Sequence, residues 1–114
     1  MLVISKEKMK LFEKDAVAQF VEKMHTHLKD VFPDMLEGKS DTEIENKIRD
    51  GIDKAAGYDI TGEQEVALFI DLAVSMGKDF VAQKNNAWIK PVLERSDMTG
   101  MEKMDFVYSR LLDA

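Results

Sequence analysis

The two histidines, His25 and His27, are the first candidates for metal or acid–base chemistry. In an α-helix, residues two apart point about 200° away from each other, so the two rings cannot share one ion. Helical zinc sites place their histidines four residues apart. His25 borders the apolar stripe of its predicted helix, and His27 lies nearer the polar side. We therefore expect no metal site and interpret both as histidines of the surface or core edge.

Carboxylates cluster just after the first third of the chain, and such clusters raise the question of calcium. A helix–loop–helix calcium site needs oxygen ligands at loop positions 1, 3 and 5, glycine at 6 and glutamate at 12. A loop that began at Asp34 would place Leu36 at position 3 and Gly38 at position 5. The spacing predicts no calcium site. The clustered acids are Asp34, Glu37, Asp41, Glu43 and Glu45.

Serine and threonine hydroxyls are the remaining candidate nucleophiles, because the chain has no cysteine. None lies in a Gly-x-Ser-x-Gly turn, and the sequence contains no glycine-rich phosphate loop. Ser40, Thr61 and Thr99 each stand three residues before a glutamate or glutamine, which is the spacing of a helix capping box. We assign these hydroxyls to helix starts. The sequence thus predicts no enzymatic activity and no cofactor.

Asp71 is the one carboxylate in an apolar run from Val66 to Met76, where Ser75 is the other polar residue. A buried carboxylate is costly unless it is hydrogen-bonded or paired. Two interpretations follow. Asp71 is either a structural acid, partly exposed or bonded to a neighbouring helix, or the polar anchor of a protein–protein contact.

The run around Asp71 also predicts the architecture. A helix that is apolar on nearly all sides must lie inside a protein, and about 11 residues are too few to cross a bilayer, which takes about 20. We therefore predict a central helix at about residues 62–76, covered by the segments before and after it. No segment alternates with period two for long enough to predict a strand.

Apolar residues at steps of three and four predict a long amphipathic first helix. It extends from Ser5 to about Val31, and Phe32-Pro33 ends it because the residue before proline avoids helical geometry. Residues 2–4 form either an extended arm or a first turn. The apolar stripe comprises Met9, Phe12, Ala16, Phe20, Met24, Leu28 and Val31.

Three more helices complete an all-α, single compact domain of four to five helices over residues 1–114. One begins at the Ser40 box and ends at Gly57 as the C′ residue, and Gly51 within it marks a close helix crossing or is simply tolerated. A short connection over residues 34–39 precedes it. Asn86 caps a short helix that reaches Leu93. The last helix opens at the Thr99 box, with an apolar side of Met101, Met104, Tyr108, Leu111 and Leu112.

The net charge of −6 comes from the middle of the chain. Residues 34–65 carry four basic residues against ten acids. Such a surface repels phosphate backbones and anionic lipids and favours a basic partner, unless it is only a solvated face that maintains solubility. The central helix, as the second member of a helix-turn-helix, would offer apolar side chains to DNA bases. We expect neither nucleic acid nor membrane as a partner.

A series of motifs resembles small, all-helical bacterial proteins associated with type VI secretion and toxin gene neighbourhoods. The series comprises Gly51-Ile52, Ala55-Ala56, Tyr58-Asp59-Ile60-Thr61, Glu65-Val66, Phe69-Ile70-Asp71-Leu72, Gly77, Asp79-Phe80 and Trp88. The amino-terminal segment and the Phe32-Pro33 break are similar too, so the resemblance covers almost the whole chain. It implies an accessory or partner-binding role.

These observations predict a cytoplasmic, non-enzymatic protein-interaction module, because the amino end lacks the long apolar run of a secretory signal. It would serve as an adaptor or chaperone for a bacterial secreted effector. The alternative is an immunity protein that blocks a toxin through its acidic surface. A small-ligand carrier would need an apolar pocket with convergent polar groups. The predicted contact residues are Asp71, Glu45, Asp50, Asp53 and Met98, and the oligomeric state stays open.

Overall fold

The computed structural model describes residues 14–113, and within that range it contains six α-helices, two 3₁₀ turns and no strand. The helices are α1 (Lys14–Val31), α2 (Pro33–Leu36), α3 (Asp41–Gly57), α4 (Glu63–Met76), α5 (Ile89–Leu93) and α6 (Gly100–Asp113). The 3₁₀ turns are Phe80–Ala82 and Lys84–Asn86. The all-α prediction is confirmed. The predicted helix start at Ser5, the stripe residues Met9 and Phe12, and the arm at residues 2–4 lie outside the described residues.

Helix α4 lies at the centre, as its apolar sequence predicts. It packs against α1, α3, α6 and the first 3₁₀ turn. It ends at Gly77, whose φ of 108° is a conformation that favours glycine. The predicted range of 62–76 agrees with the observed helix to within one residue. Its buried side chains are Val66, Phe69, Ile70 and Leu72.

Gly51 lets α3 and α4 approach closely. A Cβ atom at this position would lie 2.6 Å from Ile70 Cγ1, well inside van der Waals contact. Gly51 is buried in the middle of α3, where glycine costs about 1 kcal/mol relative to alanine. Of the two interpretations of Gly51, the close helix crossing is therefore confirmed.

Two of the three predicted capping boxes form. The Ser40 hydroxyl accepts from the Glu43 amide at 3.1 Å, and the Glu43 carboxylate accepts from the Ser40 amide at 2.8 Å. Thr99 and Glu102 repeat this pair of bonds at the start of α6. The box predicted at Thr61 is wrong.

Helix α4 instead begins after Gly62, which has no side chain to accept a hydrogen bond. The Glu65 carboxylate folds back over Gly62 into the space that a Cβ atom would fill. This packing moves the N-cap one residue beyond Thr61. It explains why the spacing of a capping box did not produce one.

The end of α3 differs from the predicted glycine stop. Gly57 is the last helical residue, and the left-handed residue is Asp59, with φ of 62°. The Asp59 amide donates to Ala56 O and the Ile60 amide to Ala55 O, both at 2.9 Å. These bonds form a Schellman motif with an aspartate at C′. Burial of Ile60 at 0% exposure anchors the turn two residues later than predicted.

Four smaller predictions are also wrong. Asn86 does not cap α5, because its buried amide donates to Phe80 O at 3.3 Å and to Gln83 Oε1 at 3.1 Å. Val31 is 50% exposed, because α1 ends there and the chain turns into α2 at Pro33. Residues 33–36 accordingly form a helical turn rather than only a connection. Leu112 is 83% exposed near the end of α6.

Candidate functional site

Asp71 has a partner inside the fold. His27 Nε2, in the last third of α1, lies 3.0 Å from Asp71 Oδ1 and 3.1 Å from Oδ2. The Asp71 side chain is 20% exposed and the His27 side chain 40%. Burial raises the pKa of the Asp71 carboxyl, and the hydrogen bond and charge of His27 oppose that shift. This pair supplies the neighbouring-helix bond that the structural interpretation of Asp71 requires.

Tyr108 on α6 completes a polar cluster of three residues, His27, Asp71 and Tyr108. Its hydroxyl donates to Leu68 O at 2.8 Å. Burial, together with the negative charge of Asp71, raises the pKa of Tyr108 to about 12. Ser75, one turn beyond Asp71, donates instead to Leu72 O at 3.4 Å. The cluster therefore connects α1, α4 and α6 and contains no hydroxyl bonded to His27.

The opposite side of α4 contributes to a cavity of about 540 Å³, the aromatic cleft. Tyr58, Phe69 and Val81 contribute aromatic and aliphatic surface to it. The Tyr58 and Phe69 ring centroids are 6.3 Å apart, and Phe80 packs edge-on against Phe69 at 5.3 Å. These tilted and edge-on ring contacts hold the apolar surface in place. The charged residues around the cleft are Asp53, Lys54, Lys78, Asp79, Lys90 and Glu94.

Most charges around the aromatic cleft are neutralised by neighbours. Lys54 Nζ lies 3.3 Å from Asp50 and 3.8 Å from Asp79, and it donates to Lys78 O at 3.4 Å. Lys90 and Glu94 form a looser pair at 3.9 Å. Within residues 14–113, the Lys78 ammonium and the Asp53 carboxylate have no ion-pair partner. The cleft thus presents one unpaired cation and one unpaired anion.

One predicted contact residue lines this cleft, and a second lies at a neighbouring cavity. Asp53 lines the cleft, and Asp50, one turn earlier on α3, lines an adjoining cavity of about 40 Å³. Glu45 lies further along α3 and pairs with Arg49 at 3.0 Å. Asp71 faces α1, about 200° around α4 from Phe69. The structure therefore brings Asp50 and Asp53 together and places Asp71 elsewhere.

Met98 lies at a separate, open groove of about 410 Å³ beside α6. Phe106, 40% exposed, adds a second apolar side chain, and three acids surround the two. Asp97 is held by Arg95 at 2.6 and 2.9 Å, which lowers the pKa of the Asp97 carboxyl. Glu102 caps α6. In the described part of the chain, Asp105 is the groove's one acid without a partner.

Lys103 is a buried cation that the sequence reasoning missed. It is 3% exposed, and its Nζ donates to Tyr58 O at 2.8 Å. Tyr58 follows the last residue of α3, where the helix dipole favours positive charge. Lys103 thereby fixes the backbone beside the aromatic cleft to α6. The sequence offered one signal for a buried cation, a lysine on the buried side of α6. Its hydrogen-bond acceptor, however, lies 45 residues away in the chain.

No protein-family model, curated protein or solved structure matches this chain. Residues 14–113 contain no group of three or more His, Cys, Asp or Glu side chains that could hold a metal ion. No helix in the same range combines the length and apolar character needed to cross a bilayer. Among the described residues, the aromatic cleft is therefore the candidate binding site, since it is concave and combines apolar side chains with charged ones.

Proposed function

We propose that this protein is a non-enzymatic protein-interaction module whose contact surface is the aromatic cleft and the adjoining face of α3. The observation that carries the proposal is the cleft itself. It has a volume of about 540 Å³, an aromatic surface and two unpaired charges of opposite sign. Aromatic side chains in a concave site supply the apolar contact area of interfaces, and charged groups at the edge select the partner.

The acidic side of α3 extends this surface. Asp50 and Asp53 lie one turn apart, at the two adjoining cavities. Asp50 is paired with Lys54, so it is Asp53, together with the excess of acids in residues 34–65, that favours a partner presenting basic residues towards α3. The polar cluster does not contribute to this surface, because Asp71 is already bonded to His27.

The resemblance to proteins of type VI secretion neighbourhoods supports a bacterial secreted effector as the partner, with this chain as its adaptor or chaperone. The acid excess also supports an immunity role against a basic toxin. Both roles use the same surface and differ in the phenotype of a deletion. Loss of an adaptor prevents delivery of the effector, whereas loss of an immunity protein kills the producing cell.

The test is affinity capture from a lysate of the source cell with the full-length chain and two variants. The first variant combines Asp53→Lys with Lys78→Glu and so reverses both unpaired charges of the cleft. The control, Asp105→Lys, alters the α6 groove. A partner captured by the wild type and the control but lost with the cleft variant supports the proposal. Equal capture by all three forms, or capture of no partner, contradicts it.

A further inference from the structure

We infer that the aromatic cleft binds a peptide segment in which one large apolar side chain lies between an acidic and a basic residue. The inference rests on the proposed function and specifies the partner's chemistry. Three features of the cleft lead to it: its size, its aromatic surface and the position of its two unpaired charges.

The size and surface select the apolar side chain. A cavity of about 540 Å³ is too large for one water and too small for a folded element, and it suits one or two side chains. Phe69 is 2% exposed and forms the floor of the cleft, so the accessible aromatic surface is that of the partly exposed Tyr58. Phe80 packs against Phe69 at 5.3 Å and 60° and fixes that floor. A rigid aromatic surface favours a phenylalanine or tryptophan over a small residue, because aromatic pairs add to the gain from burial.

The unpaired charges select the neighbours of that side chain. Asp53 projects from α3, and Lys78 follows the end of α4 at Gly77, so the two charges belong to different elements that border one cavity. A basic residue of the bound peptide would pair with Asp53, and an acidic residue of the peptide would pair with Lys78. All other charges around the cleft are paired with one another.

Charge balance argues against a strongly charged segment. The cleft is bordered by three lysines and three acids, so its net charge is zero. A segment with two bases would meet Lys78 with like charge, and a segment with two acids would meet Asp53. Selection therefore includes repulsion of the wrong partner as well as attraction of the right one.

The test titrates short capped peptides into the full-length ¹⁵N-labelled protein and follows amide shifts. The probe has lysine, phenylalanine and glutamate in its centre, flanked by glycines, and a second probe reverses the charge order. Three control peptides are used. One replaces phenylalanine by alanine, one has lysine at both charged positions, and one has glutamate at both. We expect shifts at Asp53, Tyr58, Lys78 and Val81 with a mixed-charge probe.

The alanine control should bind at least about tenfold more weakly, since it loses the burial of an aromatic ring. Each like-charge control should bind about threefold more weakly, as expected for exposed ion pairs. Lys78→Gln should weaken the mixed-charge probe without weakening the two-lysine control. Equal affinity for all peptides, or shifts outside the cleft, would overturn the inference.

Failure of the inference is separable from failure of the proposed function. If no peptide binds but the reversed-charge variant still loses the captured partner, the recognised chemistry is wrong and the contact surface stands. If the peptides bind and capture does not depend on the cleft, the cleft is a peptide site but not the interface with that partner. If both experiments fail, neither statement holds.

Discussion

His27 Nε2 is within 3.1 Å of both carboxylate oxygens of Asp71, so an imidazole on α1 is bonded to the one acid in the apolar run of α4. The two residues are 44 positions apart in the chain. Their contact satisfies a carboxylate whose charged form burial disfavours. The pair therefore helps to hold α1 against the central helix.

The first prediction concerns this pair. Asp71→Ala should lower the stability by about 1–3 kcal/mol, because it leaves His27 without its acceptor at a half-buried position. Urea unfolding of Asp71→Ala, His27→Ala and the double variant gives the coupling between the two. A coupling of about 1 kcal/mol is expected for contacting residues. Unchanged stability together with loss of a partner would instead make Asp71 a contact residue.

The second prediction concerns the helix crossing at Gly51. Gly51→Ala should destabilise the protein by about 1–3 kcal/mol, because the new Cβ atom would overlap Ile70 Cγ1. Gly57→Ala is the matched control, since it lies on the same helix with nothing within 4 Å of its added Cβ. The control should be neutral or stabilised by up to about 1 kcal/mol. Thermal melts that show the same Tm for both variants would contradict the close crossing.

The third prediction is a loss of stability in alkaline solution. The pKa of Tyr108 is raised from 10.0 to about 12 in the folded protein. A raised pKa favours the protonated form on folding, so this contribution is complete below pH 10 and is lost as the pH approaches 12. Tyr108→Phe has no proton to lose and should show a flatter stability profile between pH 9 and 11, measured by urea unfolding. Parallel profiles for the two proteins would rule out the shift.

The fourth prediction concerns Lys103. Lys103→Met keeps an unbranched side chain of similar length but removes the donor to Tyr58 O. The free energy of unfolding should fall by about 1–3 kcal/mol. Lys84→Met provides an exposed control in the second 3₁₀ turn and should change the stability by less than about 0.5 kcal/mol. Chemical denaturation compares them. If Lys103→Met were as stable as the control, the buried hydrogen bond would carry no net stabilisation.

Sequence reasoning succeeded where the determinants are local. The apolar run from Val66 to Met76 predicts α4 to within a residue, and the Ser40 and Thr99 boxes depend on side chains only three residues apart. It failed where tertiary packing decides. Glu65 folding over Gly62 displaces the Thr61 cap, and burial of Ile60 places the left-handed C′ residue of α3 at Asp59 instead of Gly57.

The candidate site was harder to predict than the fold, because its parts come from distant segments. Asp53 was singled out by its acidic neighbourhood, but the apolar surface beside it combines Tyr58 after α3, Phe69 of α4 and Val81 of the first 3₁₀ turn. Periodicity identifies which face of each helix is apolar. It does not say which faces leave a cavity between them, or that Lys78 lacks an ion-pair partner there.

The most direct test of the central claim is the affinity of the captured partner for the wild type and for the variant with Asp53→Lys and Lys78→Glu, measured by calorimetry. We expect Kd to rise at least about tenfold in the cleft variant and less than about twofold in Asp105→Lys. We also expect wild-type binding to weaken as salt increases, because the exposed charges are screened. Equal Kd values for the three proteins, unchanged in high salt, would contradict it.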